Sequence, residues 1–256
     1  MKFIRNNIPN AITSLNLYLG VCAIYFAFNN QLGLAGLCVL GGAVADFFDG
    51  MSARLLKSGT GIGKDLDSLA DVVSFGVAPV CIYINLSDYW YYEVMNTSWR
   101  IYSNSIVDTT NLFTVFIPFL VPVFSAIRLA IFNHDTRQTT SFIGLPTPAN
   151  GLMISSLALI AAYQPQYFPQ FVLNPWFVAA FSLLSCFLLV MPVPLFSLKF
   201  KQWDFKSNTI RYTFLALAVI MIALIQFAAI PLIVITYILF SILQNITTKT
   251  GHEIHS

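Results

Sequence analysis

Apolar residues run through this chain in long blocks separated by short polar stretches, at about 11–28, 32–56, 65–86, 112–132, 149–163, 172–191 and 212–243. Most of these blocks match the roughly 20 residues that a helix needs to cross a bilayer. The last is too long for one crossing and contains Pro231, so it predicts two helices broken near Ala229, Ile230 and Pro231. The pattern therefore predicts an all-α, polytopic membrane bundle of about eight transmembrane helices. One membrane domain accounts for residues 1–256, and there is no repeat, low-complexity tract or long linker.

Composition agrees. With 57% hydrophobic and only 9% charged residues, and a mean hydropathy of +0.73, the chain lacks the polar groups to coat a soluble globule, where about a quarter of residues are charged. Charge placement then orients the helices, because Lys and Arg collect in cytoplasmic loops. Lys2 and Arg5 precede the first block; Arg54, Lys57 and Lys64 lie around the second connection; Arg137 is in the fourth; Lys199, Lys201, Lys206 and Arg211 are in the sixth; Lys249 is in the tail. With eight alternating helices these fall on one side. The other side carries Arg100 in an acidic and aromatic loop with Asp88, Glu93 and Asp108. Both termini are expected in the cytoplasm, and the protein in the inner (cytoplasmic) membrane. The first block follows positive charges but has no small-residue cleavage site and is followed by more spans, so an uncleaved helix is expected rather than a signal peptide. The net charge of +2 reads as an orientation signal and gives no sign of a nucleic-acid partner. Cys22, Cys38, Cys81 and Cys186 are scattered singly, without metal-ligand or redox spacing, and read as small core residues.

Against this background four carboxylates stand out. Asp46 and Asp49, then Asp67 and Asp71, sit in two hydrophobic blocks of a chain with eleven acidic residues. Charged groups inside a membrane are costly and mark function by default. The spacings i,i+3 and i,i+4 place each pair on one face of its helix. Arg54 and Lys57 cannot neutralise four carboxylates, and surplus negative charge without His or Cys calls for magnesium, manganese or calcium rather than zinc. Gly50 follows Asp49 directly, Ala53 lies about one turn on, and the 58–63 loop contains Gly59, Gly61 and Gly63. Small residues ringed by Arg54, Lys57 and Lys64 suit phosphate oxygens.

The pattern Asp46-x2-Asp49-Gly50-x2-Ala53-Arg54-x8-Gly63-x3-Asp67-x3-Asp71 resembles the CDP-alcohol phosphatidyltransferase signature at every fixed position. The resemblance implies a six-helix catalytic core over about 8–195, with two additional C-terminal helices at about 211–243. It also implies a homodimer and a cytoplasm-facing polar cavity in which a CDP-linked lipid binds two divalent ions, Mg²⁺ or Mn²⁺. On that basis Asp46, Asp49 and Asp67 are expected metal ligands, and Asp71 the general base and a further ligand. Gly50, Ala53, Arg54 and Gly63 are expected around the CDP-lipid. Asn10 and Thr13, at the start of the first helix, are expected cytidine contacts; the alternative for that region, with Pro9, is plain helix initiation.

Three further stretches bear on the acceptor alcohol. Ser74, Phe75 and Gly76 follow Asp71; Arg128 to Asn133 closes the fourth block; Phe142-Ile143-Gly144-Leu145-Pro146-Thr147-Pro148 enters the fifth. Together they resemble the membrane-integral bacterial and archaeal phosphatidylserine synthases, which implies CDP-diacylglycerol and L-serine as substrates. Serine is a small zwitterion, and Arg128 is suited to its carboxylate; a salt bridge to an Asp or a snorkelling anchor is the structural alternative. Asn133 orients substrate or caps its helix, and Ser74 completes the expected serine site. Ile131 stands where many relatives carry a second basic residue, so Arg137 is the substitute cation. A phosphorylated acceptor, glycerol 3-phosphate or an inositol phosphate, would need more cations than this. A cation or proton transporter is the alternative from another class, although the carboxylates fall in adjacent blocks with no matching set later in the chain.

Overall fold

A computed structural model describes residues 2–56, 61–95, 116–135, 141–196, 204 and 208–253, with side chains described from Asn7 onward except at 88–95, 141–142 and beyond 245. Its helices are α1 (Lys2–Phe28), α2 (Leu32–Leu56), α3 (Gly61–Asp71), α4 (Ala78–Met95), α5 (Leu120–His134), α6 (Thr147–Tyr163), α7 (Pro175–Val190), α8 (Thr209–Ile225) and α9 (Ala229–Glu253). A π-helical segment, Val72–Val77, joins α3 to α4 without a break. Among the described residues five stretches are long and apolar enough to cross a membrane: Asn7–Phe28, Leu32–Leu56, Gly61–Ser87, Ile117–His134 and Thr209–Asn245. Thr147–Tyr163 and Pro175–Val190 are shorter apolar helices. The chain is an all-α, polytopic membrane helical protein.

Local chemistry explains the boundaries. α1 ends where Asn30 adopts a left-handed φ of 56°, which lets Gln31 N–H donate back to Phe26 O at 2.9 Å. α7 starts at Pro175, whose missing N–H costs nothing in a first turn, and Asn174 Oδ1 accepts from Trp176 N–H at 2.9 Å.

Without a hydrophobic force between helices in lipid, close packing through small residues holds such bundles together. The α1–α2 seam follows this rule, with Ala23, Ala27 and Ala35 fully buried. α6 is the central rod, and every residue from Met153 to Ile160 is buried. The π segment is clamped between α1 and α6 at two glycines. A Cβ on Gly20 would lie 2.8 Å from Ser74 Cα, and one on Gly151 would lie 2.7 Å from Phe75 Cα. Only glycine permits backbones that near.

Among the described residues the bundle carries one small ribbon, and three helix boundaries differ from the sequence expectation. The helical chain also contains a two-stranded antiparallel ribbon, β1 (Ser141–Ile143) with β2 (Pro194–Phe196). The C-terminal break falls at Gln226–Ala228, where Gln226 takes φ 46°; Pro231 sits in the first turn of α9, a position that needs no N–H partner. α9 then continues to Glu253 rather than stopping near 243. Pro9 lies inside α1 rather than at its start.

The ribbon is tied to α9. Tyr237 Oη donates to Phe196 O at 2.9 Å, Phe196 N–H donates to Ser241 Oγ at 3.4 Å, and Asn245 Nδ2 donates to Pro194 O at 2.6 Å. α9 thus covers β2 with polar partners, and β2 holds β1 just ahead of the turn into α6. At that turn Gly144 has φ 77° with Leu189 O against it, and Leu145 N–H donates to Leu188 O at 2.8 Å.

Candidate active site

Asp46 and Asp49 of α2 and Asp67 of α3 come together beside α1, on which both helices pack. Carboxylate oxygens of Asp46, Asp49 and Asp67 all lie within 4.8 Å of one another. Two ionised carboxylates at that separation repel by roughly 3 kcal/mol at an effective dielectric near 20. Such an all-oxygen set of hard donors fits a divalent cation, which offsets the repulsion. Asp49 is buried, and Thr13 Oγ1 donates to its Oδ2 at 2.6 Å, a short charge-assisted bond that fixes the carboxylate from α1. Asp67 Oδ1 has no hydrogen-bond partner among the described residues.

Asp71 stands apart from that trio, one turn further along α3 and buried. It lies in the electrostatic field of Asp46, Asp67, Arg128 and Asp49. Asn16 Nδ2 donates to its Oδ1 at 3.5 Å, and Ser74 Oγ donates to Asn16 O at 3.0 Å. Asn16 is fully buried and was not singled out in the sequence. The available signal was its place one turn after Thr13, which makes a polar pair on one face of an apolar helix.

Arg128 is buried on α5. Its guanidinium lies 5.0 Å above the Phe132 ring centroid, and Nη1 reaches Thr147 Oγ1 at 3.5 Å. The face of α5 bearing Arg128 is thereby turned to the first turn of α6. Asn133 is engaged with α3: its Nδ2 donates to Ser68 Oγ at 2.8 Å, and its backbone carbonyl accepts from Lys64 Nζ at 2.7 Å. Ser74 is buried against α1, with its hydroxyl proton given to Asn16 O.

At the α2 end, Arg54 is exposed and Ala53 half-buried. A methyl at Gly50 would lie 3.8 Å from Arg54 Nη2, so the guanidinium lies over the glycine beside Asp49. Gly63 is half-buried in the first turn of α3, and Asn10 is half-buried on α1, its carbonyl accepting from Ser14 Oγ at 2.8 Å. The structure thus brings Asp46, Asp49, Asp67 and Thr13 into one group, and places Asp71, Asn16 and Ser74 beside it. Lys57 and Arg137 lie outside the described residues.

Residues 6–191 match the family model described as CDP-alcohol phosphatidyltransferase. The chain belongs to that family. The CDP-alcohol phosphatidyltransferase match takes in both carboxylate pairs and α1 through α7, and the C-terminal helices α8 and α9 lie beyond it. Curated relatives include a CDP-diacylglycerol–serine O-phosphatidyltransferase of Helicobacter pylori (strain J99), 34% identical over 59% of this chain and 57% of its own length. Another with that name, from Bacillus subtilis, is 30% identical over 62% of this chain and 78% of its own. An archaetidylserine synthase of Methanothermobacter thermautotrophicus is 30% identical over 61% of this chain and 59% of its own. The first of these matches spans a little over half of the relative's length.

Proposed function

We propose that this membrane protein transfers the phosphatidyl group of CDP-diacylglycerol to L-serine, giving phosphatidylserine and CMP. The observation that carries the reading is the convergence of Asp46, Asp49 and Asp67 with a separate, buried Asp71 next to them. One carboxylate group is thereby available for phosphate-bound cations and another for a proton. The names of the relatives support serine as the acceptor.

Asp46, Asp49 and Asp67 would hold Mg²⁺ or Mn²⁺, two ions by family resemblance, with Asp71 at the edge of the set. When bound, the ions supply charge neutralisation at the pyrophosphate oxygens and the departing CMP. Thr13 keeps Asp49 oriented through its 2.6 Å bond. Arg54, lying over Gly50, adds a guanidinium for pyrophosphate oxygens, with Ala53 and Gly63 as small neighbours and Asn10 and Thr13 toward the cytidine. Asp71, aimed by Asn16, accepts the proton of the serine hydroxyl. The serine oxygen then forms its bond to the lipid-side phosphorus as the bond from that phosphorus to the CMP oxygen breaks. Arg128 takes the serine carboxylate, and Ser74 and Asn133 frame the acceptor side of Asp71.

The same reading puts eight crossings in the inner membrane, with both termini and the site toward the cytoplasm, and two copies in a homodimer. Glycerol 3-phosphate is disfavoured as acceptor because, among the described residues, Arg128 is the one buried cation. Arg128→Ala tests the assignment. The apparent KM for serine is expected to rise about 10- to 100-fold, the range of a lost hydrogen bond to a charged group. The KM for CDP-diacylglycerol and the metal requirement should persist. An unchanged serine dependence, read from CMP release against serine concentration, would give Arg128 another role.

A further inference from the structure

The interior between α5 and α6 contains polar atoms that the scheme above leaves idle. Ser125 Oγ, Arg128 Nε, and both Nδ2 and Oδ1 of Asn150 have no hydrogen-bond partner among the described residues. Ser125 and Asn150 are 0% exposed and Arg128 is 6% exposed. A buried polar group left unpaired costs roughly 1–3 kcal/mol, and Asn150 carries two such atoms on one side chain. A fold that needed no ligand there would gain stability from leucine at that position.

These atoms share one place. Arg128 Nη1 faces Thr147 Oγ1, which brings the end of α5 to the beginning of α6. Ser125 is one turn back from Arg128 along α5, and Asn150 is one turn forward from Thr147 along α6, so both lie one turn further into the bundle than the Arg128–Thr147 contact. The π segment forms the adjoining wall. A Cβ on Gly76 would lie 3.3 Å from Ser125 Cβ, and Gly151, next to Asn150, opposes Phe75. That segment starts at the residue after Asp71. Phe75 and Gly76, which face Gly151 and Ser125, follow Asp71 by four and five residues, so the idle atoms lie about one helical turn beyond Asp71, and one turn is about 5.4 Å. This matches the span of a small amino acid that has its hydroxyl at Asp71.

We propose that Ser125 and Asn150 form the pocket for the ammonium group of the amino-acid acceptor, with Arg128 holding its carboxylate. Asn150 Oδ1 and Ser125 Oγ supply neutral acceptors for ammonium protons, and Asn150 Nδ2 is free to support the carboxylate held by Arg128. This division leaves Asp71 to the hydroxyl. A pocket that requires an ammonium rejects acceptors lacking it, because its own polar atoms are then left unpaired. The inference rests on the serine reading above.

The test compares two acceptors in CMP release by the full chain: L-serine, and 3-hydroxypropionate, which has the hydroxyl and the carboxylate without the ammonium. The wild type is expected to prefer serine in kcat/KM by about 10- to 100-fold, one hydrogen-bonded charge. Asn150→Leu is expected to bring that ratio to within about threefold, with the change in the serine KM, and to melt no lower than the wild type because an unpaired amide has been removed. Ser125→Ala, a smaller change that keeps the packing, should lower the same ratio in the same direction. Serine preference kept in both variants overturns the pocket while leaving the serine reading in place. A wild type that does not release CMP with serine overturns that reading and the pocket together.

Discussion

Asp71→Asn is expected to lower CMP release by about 10²- to 10⁴-fold, the contribution of a positioned general base, while CDP-lipid binding is largely retained. Asparagine has nearly the shape of aspartate, so the packing against α1 survives and Asn16 keeps an oxygen to donate to at that position. What is lost is the acceptor for the hydroxyl proton. Binding of CDP-diacylglycerol by titration calorimetry, set beside CMP release with serine, separates the two effects. Full activity in the variant would remove Asp71 as the base, and a loss of lipid binding equal to the loss of turnover would move it among the metal-holding carboxylates.

Asp67→Asn should act on the other function of the cluster. Its Oδ1 is buried and unpartnered among the described residues, and its carboxylate closes the trio with Asp46 and Asp49. Removing one of three negative charges weakens cation binding, and Mn²⁺ affinity measured by titration calorimetry is expected to fall by at least about 100-fold, beyond the range seen for groups that only support a ligand. The metal-free variant should melt higher than the metal-free wild type, since roughly 3 kcal/mol of repulsion per ionised pair is relieved. The stabilisation on adding Mn²⁺, about 2.7 kcal/mol for the wild type at a hundred times its dissociation constant, should fall to about 0.4 kcal/mol or less in the variant at the same concentration. Wild-type Mn²⁺ affinity in this variant would assign the cation to other residues.

The carboxylate cluster was legible because its determinants are local. Two helical spacings put Asp46 with Asp49 and Asp67 with Asp71, and α1, on which both helices pack, brings the two sets together. The hydrophobic blocks were equally plain, since crossing a membrane sets their length. Features set by contacts between distant helices were not legible. The π segment after Asp71 depends on Gly20 and Gly151, about 50 and 80 residues away, allowing backbone to approach. Asn16 becomes meaningful only once α1 lies beside Asp71. Asn150 and Ser125 each read as a single polar residue in an apolar helix, and the α5–α6 contact at Arg128 and Thr147 is what brings them together. The break before α9 was expected near Ala229, Ile230 and Pro231 because proline is the visible breaker; it falls just before them, where Gln226 makes the turn through a left-handed φ of 46°, which the residue type does not announce.

The ribbon belongs to the same class. Three residues on each strand carry little β signal in isolation, and their partners come from α9, more than 40 residues beyond β2. Through that ribbon α9, which lies outside the family match, is linked to the turn that delivers Thr147 to Arg128.

The most direct test of the central claim is CMP release by the purified protein from CDP-diacylglycerol in the presence of Mn²⁺ or Mg²⁺, with L-serine, glycerol 3-phosphate or an inositol phosphate supplied in turn. Release that requires both the metal and serine, with phosphatidylserine formed in equal amount, is the predicted result. Equal release without serine, or release with glycerol 3-phosphate alone, would contradict it.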